Sequence, residues 1–352
     1  MSKTLMKGNE ALALAAIKGG CTHFFGYPIT PQNEIPEFLA REFPKAGGVF
    51  LQAESELAAI NMVYGAAAAG GRAMTSSSSP GIALMQEGMS SLAAAELPCV
   101  IVNAQRGGPG LGSIQPSQAD YYQMTRGGGN GDYRILSLAP ATVQEGAEMM
   151  MMAFDLAEIY RTPVFIVSDG MLGQMMEPVE FHDMPLRELP EKDWTVVGHG
   201  GVRPPNTVKT LALDPTVLEQ RNLTLQAKYA RIATLEARHE SYRTEGAEII
   251  LSAYGSTARI VKNAIDLLAE EGIAVGLIRP QTLWPFPVAA FAELPDSCRM
   301  ILTVEMSCGQ MVDDVRLAVN GRLPVEFYGR SGGIIPVPEE IAMKVKTLLG
   351  RA

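Results

Sequence analysis

The chain has 352 residues, 47% of them hydrophobic and 19% charged, with a formal net charge of -9. That length allows two or three globular α/β domains, and the acidic balance argues against nucleic acid as a partner. No apolar run reaches the about 18 residues of a membrane span, and Asn9 and Glu10 precede a short apolar run unlike a signal peptide, so a cytoplasmic location is expected.

Residues 8–19 read as a helix, with Ala11, Leu14, Ala15 and Lys18 at helical intervals, and residues 22–25 as a strand. In the following GYPITPQNE (26–34), prolines stand on both sides of Ile29 and Thr30. Proline biases its predecessor away from helix, so this turn is stiff and holds Thr30 at the carboxyl end of a strand. The plainer role for Thr30 is to cap a helix over 32–43. Strand 49–52 then leads through Glu54 and Glu56 into a small-residue helix, with Ala59, Ile60, Val63 and Ala67 at helical spacing. Gly70 and Gly71 stop that helix, and strand 72–76 follows. This unit puts a carboxylate where open parallel sheets keep their ligand sites. Position alone favours Glu56 as a first-turn acid offsetting the helix dipole, worth a few tenths to about 1 kcal/mol.

Serines 76–79 precede a helix over 82–96; they cap it or bond a ligand, capping being the commoner role. Strand 98–103 delivers Arg106 to its carboxyl end, ahead of GGPGLGSIQPSQAD (107–120). The glycines at 108–112 lack the helix and distant acid of a dinucleotide fingerprint, so they read as a permissive loop. Arg106 is the only charge in this neighbourhood, suited to a bidentate grip on a carboxylate or to an ordinary salt bridge. A flexible loop (127–132), a helix (142–160) with a core-filling run of methionines at 149–152, and a strand (163–168) complete a first domain spanning 1–183.

A linker begins at 184, and residues 216–242 read as a charged helix that lies across a partner or bridges two domains. Its stripe is Leu218, Leu225, Tyr229, Ile232 and Leu235, and the whole connecting region is 184–245. Strands 249–253, 274–278, 300–305 and 325–328 then alternate with helices 256–270, 310–319 and 339–349. That rhythm predicts a second, smaller parallel-sheet domain over 246–352. Gly255, Ser256 and Thr257 form a strand-to-helix turn, read as a plain cap ahead of an anion site. The four cysteines, Cys21, Cys99, Cys298 and Cys308, form no CxxC pair, which argues against a local iron–sulfur or zinc motif. Cys99 reads as core and Cys308 as partly exposed.

Four stretches in order, GYPITP (26–31), QAESELAAINMVYGAAAAG (52–70), SSSSPGIALMQEG (76–88) and NAQRGGPGLGSIQPSQAD (103–120), carry a resemblance. Together with SDGMLGQMMEP (168–178) and the C-terminal part, they resemble the α subunit of a thiamine-diphosphate-dependent 2-oxoacid:ferredoxin oxidoreductase over nearly the whole chain. YPITPQNEIPE, QAESE and GGGNGDYR look most like the branched-chain (2-oxoisovalerate) subfamily, while the 2-oxoglutarate and pyruvate enzymes share the plan.

The resemblance implies an α/β chain of two parallel-sheet domains: a thiamine pyrimidine-binding domain, then one like the transketolase C-terminal domain. It implies coenzyme A-dependent oxidative decarboxylation of a 2-oxoacid. Glu56, not Glu54, would bond N1′ of the aminopyrimidine and favour the imino tautomer that takes the C2 proton. Pro28, Ile29 and Thr30 would line the cofactor, with Thr30 also on the substrate side, and Arg106 would bind the substrate carboxylate. No GDG metal motif occurs; Asp169 followed by Gly170 is nearest, without a matching asparagine. The resemblance therefore places the magnesium and the iron–sulfur clusters on beta, gamma and ferredoxin-like delta subunits, with thiamine diphosphate shared between chains and ferredoxin taking the electrons. Two other readings compete: a nucleotide-binding dehydrogenase, from the glycine clusters, and a non-catalytic scaffold subunit. Thr30, Glu56 and Arg106 occurring together argue against the scaffold.

Overall fold

The computed structural model describes residues 3–182 and 187–351, so the expected boundary after residue 183 and the start of the linker at 184 lie outside the described residues. A seven-stranded sheet runs in the order Thr282–Trp284, Leu136–Leu138, Pro163–Asp169, Cys99–Gln105, Ala73–Ser77, His23–Gly26 and Val49–Gln52. Its neighbours are parallel except the first pair, where Thr282–Trp284 returns from the C-terminal part and joins antiparallel. Every residue of Cys99–Gln105 and Pro163–Asp169 is buried, as strands covered by helices on both faces must be.

Alternate residues of those strands feed opposite cores. Val100, Val102, Val164 and Ile166 pack with the helices Gly8–Lys18 and Val143–Tyr160; Ile101, Phe165 and Val167 pack with Glu56–Ala68 and Gln86–Ala94. Met149, Met150, Met151 and Met152 are all buried in the first of these cores.

A five-stranded sheet follows, in the order Val325–Gly329, Met300–Glu305, Ile249–Ser252, Val275–Pro280 and His239–Tyr242. Its first four strands are parallel and the last is an antiparallel edge. Each sheet is thus parallel with one antiparallel edge strand, and a separate two-stranded ribbon pairs Thr4–Lys7 with Met176–Val179. No helix among the described residues is long and apolar enough to cross a membrane.

Three expected helices differ. The helix over 216–242 is Pro215–Leu235, followed by the edge strand His239–Tyr242. Glu236 ends it, its carboxylate receiving the Tyr160 hydroxyl at 2.8 Å and Arg238 at 2.7 Å. Leu225, Tyr229 and Ile232 are buried against the first sheet, with Tyr229 edge-on to Trp284, so this helix covers one sheet instead of bridging two. The helix over 82–96 is two, Ser79–Leu84 and Gln86–Ala94, joined at Met85. The helix expected from residue 32 starts at Glu34.

The two sheets meet at the end of the glycine-rich loop. Gln118 is fully buried: its Oε1 accepts from Thr257 Oγ1 (2.7 Å) and Met306 N (3.1 Å), and its Nε2 donates to the Tyr254 carbonyl (2.9 Å). Ser256 Oγ donates to Asp169. The Gly255–Ser256–Thr257 turn is therefore a junction between the sheets, not a plain cap. Nearby, Asp314 holds the Tyr121 hydroxyl at 2.5 Å and both Arg126 amines at 2.7 and 3.0 Å.

Candidate active site

Four adjacent parallel strands, Val49–Gln52, His23–Gly26, Ala73–Ser77 and Cys99–Gln105, end at one edge of the seven-stranded sheet. The candidate residues Glu56, Thr30 and Arg106 all follow these ends, with the serine run beside them, at the edge where parallel sheets place ligands.

Glu56 is set by a helix cap. Ser55 is extended, and its hydroxyl accepts the Ala58 N–H at 3.2 Å, so the helix Glu56–Ala68 begins at the glutamate. This turn separates the two acids: Glu56 is 6% exposed, whereas Glu54 faces solvent. The Glu56 carboxylate lies against Gly81, where an added Cβ would stand 2.4 Å from its Oε1. The Ser77 hydroxyl faces the same position, and the hydroxyls of both Ser77 and its neighbour Ser78 are buried without a hydrogen-bond partner among the described residues. Buried polar atoms are normally paired, so orphaned hydroxyls next to a buried carboxylate suit a polar ligand. None of the four serines caps the following helix through its side chain, contrary to their commoner role: Ser76 Oγ donates to Gln32 (2.6 Å), and Ser79 turns toward Arg106 and Asp120.

Hydrogen bonds stiffen the Thr30 loop beyond its prolines. The Pro31 carbonyl accepts from Asn9 Nδ2 (2.8 Å) and Gln174 Nε2 (3.4 Å), and the Gln32 amide nitrogen Nε2 donates to the Tyr27 carbonyl (3.4 Å). Pro28 and Thr30 are exposed and Ile29 half-buried, so this loop presents itself outward. Thr30 does not cap the next helix, whose N-cap position is Asn33.

Arg106 is 8% exposed and makes no ion pair with a carboxylate within 4.0 Å among the described residues. Its Nη1 donates to the Thr30 carbonyl and its Nη2 to the Leu111 carbonyl, both at 3.0 Å, while Nε is buried without a partner. The ordinary salt-bridge reading fails here. A buried guanidinium held by neutral carbonyls, with an N–H to spare, is suited to an incoming anion. The following loop closes on itself, with Gly107 N donating to Gln115 O (3.0 Å) and Ser113 N to Gly107 O (2.7 Å), and no helix starts at its glycines.

Asp169 is engaged elsewhere. Its Oδ1 caps the short helix Gly170–Gln174, accepting from Met171 N (2.8 Å) and Leu172 N (3.0 Å), and its Oδ2 takes Ser256. Among the described residues no three His, Cys, Asp or Glu side chains converge as a metal site. Cys308 is exposed, the other three cysteines are buried, and burial pushes the Cys21 and Cys99 thiols up.

Two residues of the site escape sequence reading. Gly81 looks like ordinary turn punctuation after Pro80, yet it makes room for Glu56. Asp120, at the end of QPSQAD, accepts from Ser79 Oγ (2.5 Å) and Asn103 Nδ2 (3.0 Å), and burial raises its carboxyl above the usual range despite these bonds.

A family described as pyruvate flavodoxin/ferredoxin oxidoreductase, thiamine diphosphate-binding, matches residues 14–242, and pyruvate:ferredoxin oxidoreductase core domain II matches 247–341. The ketoisovalerate oxidoreductase subunit VorB of Methanothermobacter thermautotrophicus is 48% identical over 350 residues, covering 99% of each chain. The 2-oxoglutarate synthase subunit KorA of Methanocaldococcus jannaschii is 37% identical over 98% of this chain and 100% of its own. Among solved structures, a 2-oxoglutarate:ferredoxin oxidoreductase from Magnetococcus marinus superposes with a TM-score of 0.89 at 29% identity, covering 98% of this chain. This chain spans 65% of that longer one. A split-gene transketolase shares the fold, with a TM-score of 0.59 at 14% identity.

Proposed function

Because the chain belongs to the pyruvate flavodoxin/ferredoxin oxidoreductase family, we propose that it is the subunit that carries the pyrimidine half of a thiamine diphosphate site. The enzyme decarboxylates a 2-oxoacid oxidatively, passes the acyl group to coenzyme A and the electrons to ferredoxin. The observation that carries this reading is the Glu56 carboxylate, buried at a strand-to-helix junction beside orphaned serine hydroxyls, at the same sheet edge as Thr30 and Arg106.

These residues fit the aminopyrimidine end of the cofactor. When bound, thiamine diphosphate supplies the carbon nucleophile and the electron sink. Glu56 would bond the ring nitrogen N1′ and set its tautomer, held rigidly by the capped first turn and by contact with Gly81. Pro28, Ile29 and Thr30 would line the cofactor from the loop after the neighbouring strand His23–Gly26. The spare N–H of Arg106 receives the oxoacid carboxylate, with Thr30 held against the same guanidinium.

Both oxygens of Asp169 are already used, so a magnesium ion accompanying the cofactor would take its protein ligands from a partner subunit. The iron–sulfur clusters are assigned there too. Beta and gamma subunits, and a ferredoxin-like delta subunit where present, complete the enzyme in the cytoplasm.

A branched-chain substrate is favoured over 2-oxoglutarate. Identity is 48% to the ketoisovalerate subunit and 37% to the 2-oxoglutarate one. Assaying the co-purified complex against a panel of 2-oxoacids, with ferredoxin or viologen as acceptor, tests this. The expected result is a higher kcat/KM for 2-oxoisovalerate than for 2-oxoglutarate. The reverse order would reassign the substrate, and no oxoacid-dependent reduction would overturn the function.

A further inference from the structure

Ser79 and Asp120 meet at the Arg106 backbone, whereas the Thr30 contact is made by the Arg106 guanidinium. The Ser79 hydroxyl lies 2.5 Å from Asp120 Oδ2, 3.0 Å from the Arg106 backbone nitrogen and 3.2 Å from the Arg106 carbonyl oxygen, so the much shorter contact to Asp120 takes its proton. Asn103 Nδ2 donates to the same Asp120 oxygen at 3.0 Å, and the Asp120 N–H reaches Gln105 Oε1 at 3.3 Å. A carboxylate only accepts, so it draws the single Ser79 proton and turns a serine lone pair toward the Arg106 N–H. That N–H belongs to the first residue after Cys99–Gln105, where the chain leaves the sheet for the glycine-rich loop.

We propose that Ser79 and Asp120 are positioning residues for substrate binding: Asp120 orients the Ser79 hydroxyl, which pins the Arg106 backbone and so aims its guanidinium. The proposal rests on the reading of Arg106 as the partner of the oxoacid carboxylate. It explains why an aspartate sits here at all. Asp120 makes no ion pair within 4.0 Å among the described residues, although the charge of Arg106 is near enough to pull its carboxyl down against the larger effect of burial. Asp120 is half-buried, and a partly desolvated carboxylate without a paired cation depends on hydrogen-bond donors, which Ser79 and Asn103 supply here. The chain Asn103–Asp120–Ser79–Arg106–Thr30 also joins four separated sequence stretches, through the side chains of Asn103, Asp120 and Ser79, the Arg106 N–H and guanidinium, and the Thr30 carbonyl.

The test uses the assembled complex carrying Ser79→Ala, Asp120→Ala and the double variant, with Asp120→Asn as the shape-conserving change and Arg106→Met as the control. Ser79→Ala and Asp120→Ala should each lower kcat/KM for the oxoacid by about 3–10-fold, the range for one neutral hydrogen bond. The KM for coenzyme A should stay within about twofold, and Asp120→Asn should fall between wild type and Asp120→Ala. Because the two side chains act in series, the double variant should cost no more than the worse single variant. Unchanged oxoacid kinetics in Ser79→Ala, equal losses toward both substrates, or single effects that multiply in the double variant would each overturn the proposal. If Ser79→Ala fails to assemble, Asp120→Asn against Asp120→Ala carries the comparison, and equal kinetics of that pair with wild type would overturn it. A normal oxoacid KM in Arg106→Met would instead remove the functional reading on which the proposal stands.

Discussion

Gly81 leaves the space that the Glu56 carboxylate fills: a Cβ on Gly81 would stand 2.4 Å from Oε1 of Glu56 and 2.0 Å from Oγ of Ser77. Gly81 has no left-handed backbone to maintain; close approach alone requires glycine here. Any side chain must push the carboxylate off its position. Gly81→Ala should therefore lower oxoacid turnover of the complex by about 10²-fold, the scale of a 1 Å misplacement, while subunit assembly persists. Turnover within about twofold of wild type would show that Glu56 tolerates displacement.

Tight thiamine diphosphate binding should require a second chain. This chain offers the aminopyrimidine a buried acid, but Asp169, the nearest thing to a metal-binding aspartate, is committed to Met171, Leu172 and Ser256. Two phosphates without their cation are poorly held, since the ion is the largest local charge in such a site. Calorimetry on the lone chain should show weak thiamine diphosphate binding with no gain from magnesium, and the partner subunit should create tight, magnesium-dependent binding. Tight magnesium-dependent binding by the lone chain would reveal a complete site here.

Much of this site is legible in the sequence because its determinants are local. The strand Val49–Gln52 running into a small-residue helix predicts a carboxylate at a sheet edge, and the two prolines around Ile29 and Thr30 predict a stiff loop. What local pattern cannot show is which loops meet. Arg106 finds the Thr30 carbonyl 76 residues away, through a backbone atom that carries no side-chain signal. Gln118 grips Thr257 139 residues away, so the end of an apparent loop is the junction between the sheets. The helix expected to run to residue 242 stops at Leu235 because His239–Tyr242 pairs with Val275–Pro280, and a four-residue edge strand has no period of its own to betray it. The strand Thr282–Trp284 crosses to the first sheet for the same non-local reason.

Acid stability should depend on Glu158. Burial pushes this carboxyl up, but Arg72 (Nε 3.1 Å, Nη2 2.9 Å) and Lys192 outweigh burial and hold it below the ordinary range. A pKa lower in the folded than in the unfolded chain stabilises fully above the unfolded value, about 4.3 for glutamate, and the gain is lost as pH falls through the folded value. Glu158→Gln should cost about 2–3 kcal/mol at pH 7, less than a fully buried pair because Arg72 keeps 17% exposure. Urea unfolding should show that deficit shrinking below about pH 4. A deficit independent of pH would mean that the pair contributes packing alone.

We propose that Glu56, and not its neighbour Glu54, activates the cofactor. The most direct measurement compares oxoacid-dependent viologen reduction by complexes carrying Glu56→Gln or Glu54→Gln. Burial separates the two acids, so Glu56→Gln should slow turnover by about 10²–10⁴-fold, the range for an acid–base group, while Glu54→Gln stays near wild type. Both complexes should assemble and unfold like wild type. Near-normal turnover in an assembled Glu56→Gln complex would contradict the account.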